Sequence, residues 1–174
     1  MKLTRTHKML YVVILAALAL TAVLPAFAQS AQAHERPNIV EIAASNPDFS
    51  TLVAAVQKAG LVDALDGPKR VTVFAPTNDA FDALAAQLGF SDGMALVNAL
   101  SAEQLTPILL YHVTNGNRAL NSLFPPKKVR MLSGDMAQTT RSRDMRYIDG
   151  QPTIASNIRA SNGFIHVIGG VMLP

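Results

Sequence analysis

One stretch of the chain, Thr72–Phe81, constrains the fold more than any other. Val71–Phe74 is a short run of β-branched and aromatic residues, which predicts a buried strand. Pro76 lacks a backbone N–H and should end the hydrogen-bonded ladder of that strand. Thr77 and Asn78 come next, and either side chain can cap a helix by accepting an N–H of its first turn. The stretch therefore predicts a strand, a sharp corner and the start of a helix.

The residues after the corner have helical spacing. Apolar residues recur along one face of the predicted helix: Phe81, Leu84, Ala85 and Leu88. Gly89 follows them and should end the helix. Asp79 falls in the first turn, where the helix dipole favours a negative charge. Asp79 and Asp82 are three residues apart, and we interpret them as charges suited to a helix start rather than as a catalytic pair.

Two later apolar segments are suited to pack against this stretch. The first is Ile108–Val113, which contains Tyr111 and His112, and the second is Phe164–Ile168, which contains His166. Buried polar side chains are usually hydrogen-bonded, so the structural interpretation of His112 is a satisfied core histidine. The alternative is a residue that contacts a partner, and both roles are compatible.

The two halves of the chain have different periodicities. The first half has repeated helix signals, including Asn46-Pro47 and the capping pair Ser101 and Gln104. The second half has short strand-like runs separated by the turn signals Asp149-Gly150 and Asn162-Gly163. Helices followed by strands predict the α+β class.

Together, the three segments resemble the fasciclin domain family. Thr72–Phe81 is similar to its first signature segment, Leu109–Val113 to its tyrosine–histidine motif, and Ala160–Pro174 to its closing segment. They occur in the family's order, and the resemblance covers residues 38–174 as one domain. It implies a wedge of two small antiparallel β-sheets, with the helices of the N-terminal half packed along it.

The N-terminus has the pattern of a secretory signal. Lys2, Arg5 and Lys8 precede the apolar run Met9–Leu24, and Ala26-Phe27-Ala28 is a small-residue cleavage site. We therefore predict a signal peptide over residues 1–28, a mobile leader over 29–37 and a secreted or periplasmic domain over 38–174. Cleavage after Ala33 is the alternative, and an uncleaved membrane anchor is a weaker one.

Removal of the signal changes the charge balance. The whole chain carries a net charge of +3, but the mature form retains 12 basic residues against 12 acidic ones. A generally basic, nucleic-acid-binding protein is therefore not indicated. The charges are nevertheless uneven, since acidic residues dominate residues 34–116 and basic residues dominate 117–174. Whether this gives a dipolar surface depends on how the two halves meet.

Signals for enzymatic chemistry are missing from the sequence. The chain contains no cysteine, which excludes disulfides and cysteine-based metal sites. It also contains no Gly-x-Ser-x-Gly elbow and no phosphate-binding loop. We predict a non-catalytic protein without a cofactor or a bound metal.

The resemblance implies adhesion to a cell-surface or matrix protein or to a glycan. The candidate binding residues are the tyrosine–histidine motif and the corner: Tyr111, His112, Thr77, Asn78 and Asp79. A second set is suited to an acidic exopolysaccharide or a lipid headgroup: Lys127, Lys128, Arg130, Arg141, Arg143 and Arg146. If its segment is extended, Arg141 and Arg143 share one strand face.

The alternative function is a carrier of an apolar small molecule such as a carotenoid or a lipid, because some members of the family that the chain resembles bind carotenoids. The candidate lining for such a ligand is an adaptable apolar set: Met131, Met136, Met145, Tyr147 and Ile148. The bland interpretation of these residues is that they fill the core.

Overall fold

The computed structural model describes residues 36–124 and 126–174. The predicted signal peptide and most of the predicted leader lie outside these residues. The described helices are α1 (Ile39–Ser45), α2 (Ser50–Lys58), α3 (Val62–Asp66), α4 (Asn78–Leu88), α5 (Gly93–Ala99) and α6 (Ala102–Tyr111). The described strands are β1 (Val71–Pro76), β2 (Val113–Asn115), β3 (Lys128–Arg130), β4 (Met136–Ser142), β5 (Met145–Ile148), β6 (Gln151–Ala160) and β7 (Gly163–Ile168).

The helices begin where the sequence places capping side chains. Asn38 and Glu41 form a reciprocal capping box on α1, and Ser101 and Gln104 form another on α6. Thr77 caps α4 by accepting the N–H of Ala80. These contacts satisfy N–H groups of the first turn that have no partner within the helix.

The strands form one sheet in the order β2-β1-β7-β6-β5-β4-β3. β1 and β7 run parallel, with Val71 opposite Gly163, and the other neighbouring pairs are antiparallel. The two ends of the sheet nearly meet, because Thr114 bridges to Met131. The sheet is therefore mixed and nearly closed into a barrel.

This sheet differs from the predicted pair of small antiparallel sheets. β4 pairs with β3 along its first half and with β5 along its second half. β6 is long enough to pair first with β5 and then, from Thr153 onwards, with β7, and two register shifts interrupt this second pairing. Since these two strands each bridge two neighbours, the hydrogen bonding is continuous and there is one sheet.

Strand β1 is buried on both faces and separates two cores. Val71, Val73 and Ala75 face the helices, in a core that includes Phe49 of the turn before α2 and Leu109 of α6. On the other face, Phe74 packs inside the curled sheet with residues of β3, β4 and β5, which are Val129, Ala137 and Ile148. The helices and the β3–β5 strands therefore lie on opposite sides of β1.

Gly163 begins β7 where no side chain fits. A Cβ at this position would collide with the carbonyl oxygen of Val71 and approach the Cδ1 of Ile39 to 2.9 Å. The turn signal in the sequence is thus also a point of close approach between α1, β1 and β7.

Candidate functional site

The tyrosine–histidine motif ends helix α6, and the His112 ring lies in the core with 2% of its surface exposed. The Met172 N–H donates to Nε2 of His112 at 2.9 Å. An imidazole nitrogen that accepts this bond carries no proton, so the ring proton is on Nδ1. Nδ1 then donates to the carbonyl oxygen of Ile108 at 2.8 Å. Both ring nitrogens are satisfied, in a single tautomer.

Burial lowers the pKa of His112 from its usual 6.5 to about 4, against smaller opposing effects of the Ile108 hydrogen bond and of the Asp149 charge. The ring is thus neutral at physiological pH. A neutral ring with both nitrogens engaged and almost no exposed surface has no group left to offer a partner. The geometry gives His112 a structural role, which is to fasten the end of α6 to the C-terminal segment.

Tyr111 fastens the same helix end to a hairpin. Its hydroxyl donates to Oδ2 of Asp149 at 3.0 Å, and Asp149 sits at the β5–β6 turn with a φ of 50°. Burial, together with this carboxylate, raises the pKa of Tyr111 to about 12. The Asp149-Gly150 turn was visible in the sequence, but its partner, 38 residues away, was not.

Substitution of Tyr111 by phenylalanine should lower the free energy of unfolding by about 2 kcal/mol, because the hydrogen bond from its hydroxyl to the Asp149 carboxylate is lost. The wild type should also lose stability as the pH rises from 10 towards 12, since the phenol ionises earlier in the unfolded chain. The phenylalanine variant should lose less over this range. Urea denaturation of both proteins at pH 8 and pH 11 tests this, and parallel curves would contradict it.

His166 is also fully buried but adopts the opposite tautomer. Asn157 donates its N–H to Nδ1 of His166, so Nε2 carries the proton and donates to the Arg118 carbonyl at 2.8 Å. Asn157 has a φ of 60° within the irregular part of β6. Its side chain accepts the Leu120 N–H. His166 therefore holds a bulge of the sheet, and burial lowers its pKa.

At the corner between β1 and α4, the side chains of Thr77 and Asn78 make hydrogen bonds within the domain. Asn78 accepts the Thr51 N–H at 3.0 Å and donates to the Pro47 carbonyl at 2.9 Å, so it joins the start of α4 to the start of α2. Thr77 caps α4, and Asp79 is exposed in its first turn. Of the three predicted binding residues at the corner, only Asp79 is exposed, and Thr77 and Asn78 are half-buried.

The basic residues lie on β3, β4 and β5 and on the segments next to them. Lys128 and Arg130 are exposed on the outer face of β3, either side of the buried Val129. Arg141 and Arg146 face each other across β4 and β5. Arg143 does not share a strand face with Arg141, because β4 ends at Ser142.

One of these arginines also has an aromatic partner. The Arg146 guanidinium lies over the ring of Phe124, 5.5 Å from its centroid.

The uneven charge of the sequence survives folding. Most exposed acidic residues lie on the helices and the loops between them: Glu41, Asp48, Asp63, Asp66, Asp79, Asp82, Asp92 and Glu103. Asp135 and Asp144 are exposed beside the strands β3–β5. Five exposed basic residues lie on β3, β4 and their flanking segments: Lys127, Lys128, Arg130, Arg141 and Arg143. Four others are exposed on the helical half of the chain: Arg36, Lys58, Lys69 and Arg70. Because these elements are on opposite sides of β1, the molecule has an acidic helical side and a basic strand side in the sense of a net excess of acidic residues on the first and of basic residues on the second.

The apolar set predicted to line a carrier site is divided by the fold. Met131 and Ile148 are core residues, whereas Met136 and Met145 are about half exposed. A separate cavity of about 100 Å³ lies between α1–α3 and the sheet, lined by residues such as Phe49, Val73 and His112. It is smaller than the roughly 150 Å³ cavity that admits benzene in an engineered protein. A carotenoid or a lipid does not fit it.

Within residues 36–124 and 126–174, no three His, Asp or Glu side chains come together as a group that could hold a metal ion. In the same part of the chain, no helix has the length and apolar character needed to cross a membrane.

Comparison with known proteins decides the family. The profile of the Fasciclin domain matches residues 47–174. The chain belongs to the fasciclin domain family. A Synechocystis relative, Protein sll1483, is 43% identical over 137 residues, which are 78% of this chain and 73% of the relative. The cell surface glycolipoprotein MPB83 of Mycobacterium bovis is 29% identical over 143 residues, covering 78% of this chain and 60% of MPB83.

A solved structure shares this fasciclin fold. It is a FAS1 domain pair from the insect cell adhesion molecule Fasciclin I, with a TM-score of 0.65 and 14% sequence identity. The match covers 80% of this chain and 52% of that chain. The three sequence segments thus identified the family correctly, and the fold neighbour agrees with the arrangement of helices and mixed sheet.

Proposed function

We propose that this fasciclin domain is a secreted or periplasmic surface-interaction module that binds a cell-surface or matrix protein or a glycan without catalysis. The observation that carries the proposal is the separation of charge across β1 in a family whose members include cell-surface proteins. A surface with an excess of one charge attracts partners of the opposite sign and orients their approach. The basic strand side is therefore the proposed contact for a polyanionic partner such as an acidic glycan.

The buried geometry narrows the contact residues within this proposal. Tyr111, His112, Thr77 and Asn78 act through the fold, by holding α4, α6 and the β5–β6 turn in place. Asp79 belongs to the acidic side and would serve a partner of positive charge. The polyanion contacts are the exposed bases of the strand side together with Arg146.

A binding assay with an acidic polysaccharide tests the proposal. Residues 29–174 contain the described cores and are the form to use. Retention on the immobilised polysaccharide should weaken as salt rises, because exposed charges are screened beyond about 10 Å at 0.1 M ionic strength. A variant with Lys128→Gln, Arg130→Gln, Arg141→Gln and Arg143→Gln should bind at least about tenfold more weakly.

The control variant is Lys69→Gln with Arg70→Gln, which removes exposed bases from the helical side. It should bind like the wild type. Equal binding of the strand-side variant and the wild type would overturn the proposed contact surface. A pull-down from cell-envelope extract, eluted with rising salt and examined for protein and glycan, then identifies the natural partner.

A further inference from the structure

The β4–β5 hairpin combines positive charge with exposed apolar side chains at one end of the sheet. Its tip, residues 141–146, contains Arg141, Arg143 and Arg146 against one acidic residue, Asp144. Arg141 and Arg146 are directly opposite each other, an arrangement that is unfavourable for like charges without an anion between them. The tip is therefore suited to bind negatively charged groups.

The backbone of the tip supports the same conclusion. Arg143 adopts a φ of 52°, in the left-handed region that glycine or asparagine would occupy at lower cost. Its carbonyl oxygen accepts a hydrogen bond from Nε of Arg141 at 3.3 Å, and its side chain is exposed. The turn thus presents a guanidinium to solvent at a position where a smaller residue would strain the chain less.

Apolar side chains lie on the outer face of the hairpin, whereas Arg141 and Arg146 project from its other face, the one that carries the buried Ile148. Met145 is 47% exposed, and Ile154 on the neighbouring strand is 63% exposed. Between them in the sheet, Tyr147 lies opposite Pro152, and alternation along β5 places Tyr147 on the same face as Met145. This apolar strip, Met145, Tyr147, Pro152 and Ile154, adjoins the charged tip.

We infer that the hairpin tip and the apolar strip dock on the surface of a bilayer that contains acidic phospholipids. This inference rests on the proposed polyanion contact and names the partner for this part of the strand side. Guanidinium groups bind phosphate through paired hydrogen bonds, and the negative potential of an anionic leaflet attracts them. Burial of the apolar strip in the interfacial region of a bilayer is favourable, because it removes apolar surface from water. A hydrated glycan would bury little of that surface.

The distribution of charge fixes the orientation on such a surface. The acidic helical side is across β1 from the hairpin, so an anionic bilayer repels it while attracting the tip. The domain would bind peripherally through the hairpin, with the helices directed away from the lipid.

Co-sedimentation of residues 29–174 with vesicles tests the inference. Vesicles of phosphatidylglycerol and phosphatidylcholine should bind the protein, and vesicles of phosphatidylcholine alone should not. Arg141→Gln and Arg143→Gln should each weaken binding about fivefold, from the contribution of one basic residue near an anionic surface. The double variant Met145→Ser with Ile154→Ser should weaken it about tenfold or more.

A matched control separates the hairpin from general hydrophobicity. Leu88→Ser with Met94→Ser removes two exposed apolar side chains from the helical side, at exposures of 58% and 38%. This variant should bind vesicles like the wild type. Absence of binding to the anionic vesicles, or unchanged binding by the Met145→Ser, Ile154→Ser variant, would overturn the inference.

Binding to the acidic polysaccharide distinguishes failure of the lipid inference from failure of the proposed polyanion contact. The Met145→Ser, Ile154→Ser variant should retain its affinity for an acidic polysaccharide, because its arginines are intact. A wild type that binds the polysaccharide but no vesicle refutes the lipid inference alone. A wild type that binds neither refutes the polyanion contact as well.

Discussion

Replacement of His112 by alanine should lower the free energy of unfolding by about 4 kcal/mol. The substitution leaves the Met172 N–H and the Ile108 carbonyl without partners in a dry core. The carbonyl has no replacement within α6, since the N–H of His112 itself bonds to Leu109. The imidazole also leaves a void. Urea denaturation at pH 7.5 measures the loss.

Asparagine at position 112 is the matched comparison. Its side-chain nitrogen occupies the place of Nδ1 and keeps the donor to Ile108, but it does not reach Met172. His112→Asn should therefore cost about half as much as His112→Ala. Binding to the partner, measured where each variant is folded, should stay unchanged. An alanine variant that melts like the wild type but has lost its partner would show that His112 contacts the partner directly.

Acid should destabilise the protein as the pH falls from 7 towards 4, because of the buried His112. The pKa of His112 is about 4 in the folded state against 6.5 normally, so the unfolded chain binds a proton first as the pH falls. The contribution of the neutral ring is complete above pH 7 and is lost progressively down to pH 4. The difference between the pKa of His112 in the folded protein and its usual value corresponds to about 3 kcal/mol of stability. His166, whose pKa is also lowered, adds a loss of the same sign.

The measurement is the free energy of unfolding between pH 7.5 and pH 4 for the wild type and for His112→Asn. The variant lacks the titrating ring but keeps His166, so its curve should be shallower. Parallel curves would show that His112 does not titrate with a lowered pKa. A protonated ring has two donors and faces the Met172 N–H, so the segment after β7 should be the first part released by acid.

Much of the local structure was predictable because it depends on neighbouring residues. The β1–corner–α4 unit follows from a β-branched run, Pro76 and a capping threonine, and all of it lies within one short stretch. The capping boxes of α1 and α6 and the Asp149-Gly150 turn are equally local. The continuous sheet was not predicted, because a strand's second neighbour depends on its length and bulges as well as on its own pattern.

The properties of the candidate site were also predictable from the sequence only in part. The sequence predicted His112 as a satisfied core residue, and the structure supplied its two partners and its tautomer. The sequence also gave the positions of the basic residues along the chain, but it left open whether acidic residues would lie beside them in the folded protein and cancel their charge. Burial of β1 on both faces answers that question, since it holds the acidic helices and the basic strands apart.

By itself, then, the sequence determined the family, the chain of helices and strands, and the excess of acid in one half and of base in the other. Those properties depend on residue type and on spacing along a few turns or strands. Only the tertiary structure decided that Arg141 opposes Arg146, that Tyr111 reaches Asp149, and that one sheet nearly closes. Each of these depends on register and on contacts between distant segments, which packing fixes and local sequence does not.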